Sequence, residues 1–331
     1  AIWRALNRYE EYTAKKDFTT FNKQQAIGFK SWLYKKLNTK GEPYSLSSIR
    51  SILHHIREFF KWLGLHPKFA RKLNVQAITY LRLSDNEQRA SCASREKPSP
   101  TIKEIRLTLN AMPTDTDIEK RDKALIAFTA LTGVRDAALI SLKMKDVDLK
   151  TKTVWQDPNH VKTKNRKGIE TFFIPFDPLW AEIVSDWMHH AKEILNFKDD
   201  DPLFPKPLIK NNPENLCFEN FGVSREHWAN AEPVRKIFRA AFEGAGLPYH
   251  NPHSFRNMLV RHAMQNCNQK EVKAISQNLG HEHVATTYNA YGQLSAHEQR
   301  KAILGTGKGN PDLETLSTDE LVAELGRRAS K

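Results

Sequence analysis

Two arginines, two histidines and two tyrosines stand in an order that suits breaking a phosphodiester with a protein nucleophile. Thr132-Gly133-Val134-Arg135 supplies one arginine, and Pro252-His253-Ser254-Phe255-Arg256 the other arginine with a histidine. Leu279-Gly280-His281 brings the second histidine, and Tyr288 and Tyr291 follow it. In such a cleavage negative charge grows on the non-bridging oxygens. Arginine answers that charge because its planar fork donates paired hydrogen bonds and stays ionised. Tyrosine, with a pKa of about 10, has to be deprotonated or polarised as it attacks. Its phosphate ester conserves the energy of the broken bond, so resealing needs no further energy source. Tyr291 and Tyr288 compete for this role. His253 suits a general base and His281 a donor to the phosphate. The leaving 5′-oxygen needs a proton, and the basic turn Lys162-Thr163-Lys164-Asn165-Arg166-Lys167-Gly168 offers one. Taken singly, each feature has a plainer reading: an ion-paired arginine, a packing tyrosine, a solvated cationic turn.

Other chemistries find fewer residues to work with. There is no Gly-x-x-x-x-Gly-Lys-[Ser/Thr] phosphate loop and no CxxC pair. His281-Glu282-His283 is too short for the His-Glu-x-x-His zinc helix. Asp199-Asp200-Asp201 lacks the spaced ligands of a calcium loop and reads as a solvated turn before Pro202. Cys92, Cys217 and Cys267 are odd in number and far apart, which suits a reducing compartment and no metal or disulfide framework.

The elements that must position these groups are mostly helical. Ile49, Ile52, Leu53, Ile56, Phe60 and Leu63 form one helical stripe, which Gly64 and Pro67 are expected to end. Helices are also expected around Phe21, Ile27, Trp32 and Leu33, and around Phe69, Leu73 and Ile78. Residues 1–83 thus read as a small all-α domain, and the polar run 84–100, ending Lys97-Pro98-Ser99-Pro100, as an extended linker. From Thr101 the pattern is mixed. A helix through Leu125, Phe128 and Leu131 runs into Gly133, and another carries Ala137, Leu139 and Ile140. Val154-Trp155 and residues 169–174 read as strands around the basic turn. Helices are expected over 179–195, 234–244, 254–265 and 270–278, and a loop-dominated stretch over 199–228. Residues 101–304 form the expected catalytic domain. The Gly-rich tail 305–331 carries Ser317-Thr318-Asp319-Glu320, which resembles a capping box ahead of a short helix able to dock on a neighbouring protomer.

Charge divides the same way. The net charge is +13, and residues 1–100 hold 19 Lys/Arg against 8 Asp/Glu while the remainder is near neutral. A basic helical domain beside a near-neutral one suits a polyanion grip beside a chemical domain. Lys36, Lys40, Arg50, Lys61 and Arg71 in the first domain, with Lys162 and Lys167 in the turn, are the candidate DNA contacts. No apolar run is long enough for a membrane helix, and the N-terminus lacks a secretory pattern, so a cytoplasmic, nucleoid-associated location is expected.

Thr-Gly-Val-Arg, His-Ser-Phe-Arg, Leu-Gly-His and Tyr291 together resemble the boxes of the tyrosine recombinase (integrase) family over most of residues 101–295. The resemblance implies an all-α core-binding domain joined to an α+β catalytic domain, mainly helical with a small sheet. It implies that Arg135 and Arg256 are the catalytic arginines, His253 and His281 the two histidines and Lys164 the hairpin lysine, with Lys162 as fallback. It implies Tyr291 as nucleophile. Further implied are a 3′-phosphotyrosine intermediate, no metal or nucleotide, double-stranded attachment sites, and a homotetramer on two duplexes formed from monomers. Accessory bending or directionality factors would assist. Two features depart from the common pattern. Tyr291 lies ten residues after His281 where many relatives have nine, and Ala138 stands where an acidic residue is usual, with Asp136 directly after Arg135. A type IB topoisomerase-like enzyme and a non-catalytic DNA-binding regulator are the competing readings. The first religates its own strand; the second has no need of all six site residues.

Overall fold

Ile49, Leu53, Ile56, Phe60 and Leu63 are buried along one side of a 20-residue helix, Leu46–Leu65, as their spacing requires. The computed structural model describes residues 1–39, 41–92, 98–211 and 217–281, with His283, Ala285, Thr287, Tyr288, Gln299, Arg300, Ile303 and Leu304. The chain divides into two compact units, Ala1–Arg95 and Glu96–Lys331. In the first, α1 (Ile2–Thr13), α2 (Lys23–Lys35) and α3 (Leu46–Leu65) are followed by α4 (Pro67–Ala70) and α5 (Asp85–Cys92). Aromatic rings fill its centre: Phe21 stacks on Phe60 at 3.9 Å, and Tyr9 meets Phe29 and Phe60 edge-on.

Three local expectations need correction here. Gly64 does not stop α3, which runs to Leu65 before His66 turns extended. A Cβ at Gly64 would stand 3.2 Å from Val75 Cγ2, so the glycine gives the next segment room to pack. The expected helix through Phe69, Leu73 and Ile78 is instead the short α4 and a 3₁₀ turn over Val75–Tyr80. Within the expected linker, Asp85–Cys92 is helical. Its start is a reciprocal cap: Ser84 N and Oγ donate to Glu87, and Glu87 N donates back to Ser84 Oγ. Tyr34 Oη also donates to Glu87 from α2. Polar composition hid a capping signal.

The second unit holds α6 (Ile102–Ala111), α7 (Asp117–Thr132), α8 (Asp136–Leu139), strands β1 (Val147–Asp148), β2 (Thr153–Gln156) and β3 (Ile169–Phe172), then α9 (Pro178–Glu193). The strands form an antiparallel sheet in the order β1-β2-β3, with Val154 opposite Thr171 and Gln156 opposite Ile169. The stretch expected to be loop carries a hairpin, β4 (Pro207–Asn211) with β5 (Phe218–Val223). β4 lacks the alternation of buried and exposed residues that marks a half-buried strand, and its Pro and Asn content reads as loop. α10 (Glu232–Gly244), α11 (Pro252–Asn266) and α12 (Gln269–Asn278) follow. The core gathers Phe128, Trp180, Trp187, Phe204, Phe238, Phe242 and Phe255, all buried. The architecture is mainly helical with small antiparallel sheets, as the sequence patterns predict. Among the described residues no helix is long and apolar enough to cross a membrane. Lys40, Tyr291 and the tail 305–331 lie outside the described residues.

Candidate active site

Each box ends or begins an element. α7 terminates because Gly133 takes a left-handed conformation (φ 60°), which turns the chain so that Arg135 caps α8. A Cβ on Gly133 would stand 2.6 Å from both Leu259 Cδ1 and Leu279 Cδ2. The turn is thus pressed against α11 and the end of α12. α11 begins at Asn251, whose side chain accepts from Ser254 N, and Pro252 occupies the first turn. His253 and Arg256, three apart, share one face of that helix.

Arg256 is buried at 2% exposure. Its Nη1 donates to Gly133 O at 2.5 Å and its Nη2 to Leu279 O at 2.6 Å. One guanidinium therefore ties the end of α7 to the Leu-Gly-His turn. Nη2 also lies 3.1 Å from His281 Nε2. A guanidinium has no acceptor, so Nε2 receives the bond and neutral His281 carries its proton on Nδ1. Nδ1 donates to Thr287 Oγ1 at 2.7 Å, which lies 2.7 Å from the buried Ser276 Oγ. The hydroxyl pair fixes the ring.

Burial pushes the His281 pKa down to about 4, and Arg256, Arg135, His253 and Lys164 push it the same way. Four cationic or basic groups from α8, α11 and the β2–β3 turn thus act on one imidazole. Lys164 lies exposed in that turn. Asp136 accepts from Arg235 Nη2 at 2.7 Å and from Ala137 N at 3.0 Å. Its carboxylate thereby secures α8 and α10. Tyr288 is exposed.

Sequence reasoning missed the brace beneath the site. Asn278 acts as a short strand: Phe172 N donates to its Oδ1 at 2.6 Å and its Nδ2 donates to Phe172 O at 3.0 Å. Thr171 Oγ1 donates to Asn278 O, and Gln156 Nε2 donates to Thr171 Oγ1. Gly280 completes the docking, because a Cβ there would stand 2.7 Å from Ile169 Cδ1. An Asn directly before Leu-Gly-His was the available signal.

In the first unit, Lys36 pairs with Glu11 and lies over the Trp32 ring, and Lys61 pairs with Glu58 at 3.0 Å. Arg50 donates to Ser91 Oγ at 3.2 Å. Arg71, Lys162 and Lys167 are exposed. Arg50 also lines a cleft of about 360 Å³ with Arg57 and Arg82, where Ser47, His54 and Gln88 add donors. Arg82 joins the others only in three dimensions.

The fold and this cluster define a class. The model of the phage integrase family matches residues 101–298, and the chain belongs to that family, the tyrosine recombinases. It is 23% identical over 291 residues to the tyrosine recombinase XerC of Halalkalibacterium halodurans, spanning 77% of this chain and 88% of that protein. Tyrosine recombinase XerA of Pyrococcus furiosus is 23% identical over 270 residues, covering 81% and 76% respectively. Among solved structures, the XerH site-specific recombinase bound to palindromic difH substrate, a post-cleavage complex, aligns with a TM-score of 0.60 at 15% identity. It covers 92% of this chain and 78% of that one.

Proposed function

We propose that this chain is a site-specific DNA recombinase whose Tyr291 attacks a scissile phosphate, giving a 3′-phosphotyrosine and a free 5′-hydroxyl. The observation that supports the reading is the buried Arg256, which ties Gly133 to Leu279 with Nη2 3.1 Å from His281 Nε2, where the charges of Arg135, His253 and Lys164 act on the same imidazole. A phosphate placed there meets two guanidinium groups as its charge grows. Two backbone carbonyls hold the Arg256 plane, so little order is lost when a phosphate binds. His253 takes the tyrosine proton, Lys164 gives a proton to the leaving 5′-oxygen, and His281 steadies a non-bridging oxygen. A 5′-hydroxyl from a partner duplex then reverses the attack. Two duplexes and four protomers are the assembly this exchange calls for. Its setting would be the bacterial nucleoid, with accessory factors biasing direction. Lys36, Lys40, Arg50, Lys61, Arg71, Lys162 and Lys167 would neutralise phosphates along the duplex.

The test is a trapping assay on nicked duplexes. A slow-migrating protein–DNA adduct on a denaturing gel is expected from the native chain and not from Tyr291→Phe, which should still bind DNA. An adduct that persists in Tyr291→Phe and vanishes in Tyr288→Phe would move the nucleophile. Tight binding without any adduct would favour a silent DNA-binding role.

A further inference from the structure

The turn that carries Lys164 is docked at two points. Lys162 N donates to the buried Ser141 Oγ at 2.8 Å, and Ser141 Oγ in turn donates to Ala138 O at 2.9 Å at the end of α8. His160 Nε2 lies 2.9 Å from both oxygens of Asp146, a buried carboxylate fixed by Lys143 N at 2.8 Å. Val161 between them is buried. The same short helix therefore begins at Arg135 and is followed by the anchor for Lys162.

The turn resists this placement. Asn165 and Arg166 both take left-handed backbone conformations, φ 61° and 52°, which side chains other than glycine rarely adopt. Thr163 Oγ1 is buried without a hydrogen-bond partner. A strained turn holding an unsatisfied hydroxyl keeps its place only while its anchors hold.

We infer that Ser141 and the Asp146–His160 pair are positioning residues for Lys164: they hold the β2–β3 turn in register with Arg135 and so set how often the lysine meets the leaving 5′-oxygen. This rests on the reading of Lys164 as general acid. In that step the tyrosine oxygen bonds to phosphorus, the P–O5′ bond breaks, and the Lys164 ammonium gives its proton to O5′. Replacing O5′ by sulfur yields a thiolate that departs without a proton, so only defects in proton delivery are relieved.

The experiment measures adduct formation by the full chain on two nicked duplexes of one sequence, selected by the native chain from a random duplex library. One carries the ordinary scissile phosphate and the other a 5′-bridging phosphorothiolate. Ser141→Ala, His160→Ala and Lys164→Ala are compared with native protein, each checked by thermal melting and DNA affinity. Ser141→Thr and His160→Asn replace any variant that melts early. Ser141→Ala and His160→Ala are expected to slow cleavage of the oxygen substrate by about tenfold or more, and to return within about threefold of native on sulfur. Native rates on oxygen, or equal slowing on both substrates beside a rescued Lys164→Ala, would overturn the inference alone. A Lys164→Ala that sulfur does not rescue would overturn the general-acid reading and this inference with it.

Discussion

At His281 the charges are one-sided: burial and four basic neighbours all favour the neutral ring. A phosphate among those neighbours removes part of the repulsion and gives Nε2 something to donate to. The His281 pKa is therefore expected to climb from about 4 toward its ordinary value when DNA binds. A histidine-resolved NMR titration of free and DNA-bound protein reads this directly, and an unmoved pKa would place the phosphate elsewhere. The same depression has a stability sign. With a folded pKa below the unfolded one, the stabilising effect of neutral His281 is present above pH of about 6.5 and is lost as pH falls toward 4. His281→Asn is expected to flatten that acid limb of the melting curve. At Arg256, lysine would keep a charge and lose the fork. Arg256→Lys should slow cleavage by about a hundredfold or more while DNA affinity changes little, because the second carbonyl tie and the planar fork are both gone. An unchanged cleavage rate would remove Arg256 from the chemistry.

At the scale of elements, the site depends on two close approaches. Gly133 lets α7 end against Leu259 and Leu279, and Asn278 grips β3 through Phe172. Gly133→Ala must accommodate a Cβ at 2.6 Å in a left-handed backbone, so a loss of about 1–3 kcal/mol is expected in urea unfolding. Asn278→Leu leaves the Phe172 N–H and C=O without their partner and is expected to cost a similar amount, about 1–3 kcal/mol. It should also lower cleavage, since the Leu-Gly-His turn loses its hold on the sheet. Full stability in Asn278→Leu would mean that the brace contributes nothing.

For the whole molecule the decisive quantity is the division of charge. Residues 1–95 carry their own aromatic core and most of the positive excess. Exposed pairs such as Lys61–Glu58 hold their lysines weakly, by about 0–1 kcal/mol, so phosphate can take them over. This unit alone is expected to bind duplex DNA with an affinity that falls steeply with salt. Six neutralised phosphates would give a logarithmic slope of about −5. Salt-independent or absent binding would remove the first unit from the grip. Arg57→Ala and Arg82→Ala should each make the slope shallower by about one if the basic cleft holds phosphate.

The sequence by itself determined which groups are available and where the helices fall. A period-3.6 stripe marks α3, glycine marks the end of α7, and Asn-Pro marks the start of α11, because these signals act within one or two turns of chain. Local signals also misled where composition outweighed them. Ser84 and Glu87 cap a helix inside a polar run, and the β4–β5 hairpin sits among prolines and asparagines. Tertiary structure alone decided the rest. Arg256 reaches Gly133 across 123 residues of chain and Leu279 across 23. Phe172 meets Asn278 across 106, and Ser141 catches Lys162 across 21. The depressed pKa of His281 belongs to the same class. It arises from burial and from charges that only the folded core brings to one place, where no spacing in the chain records them.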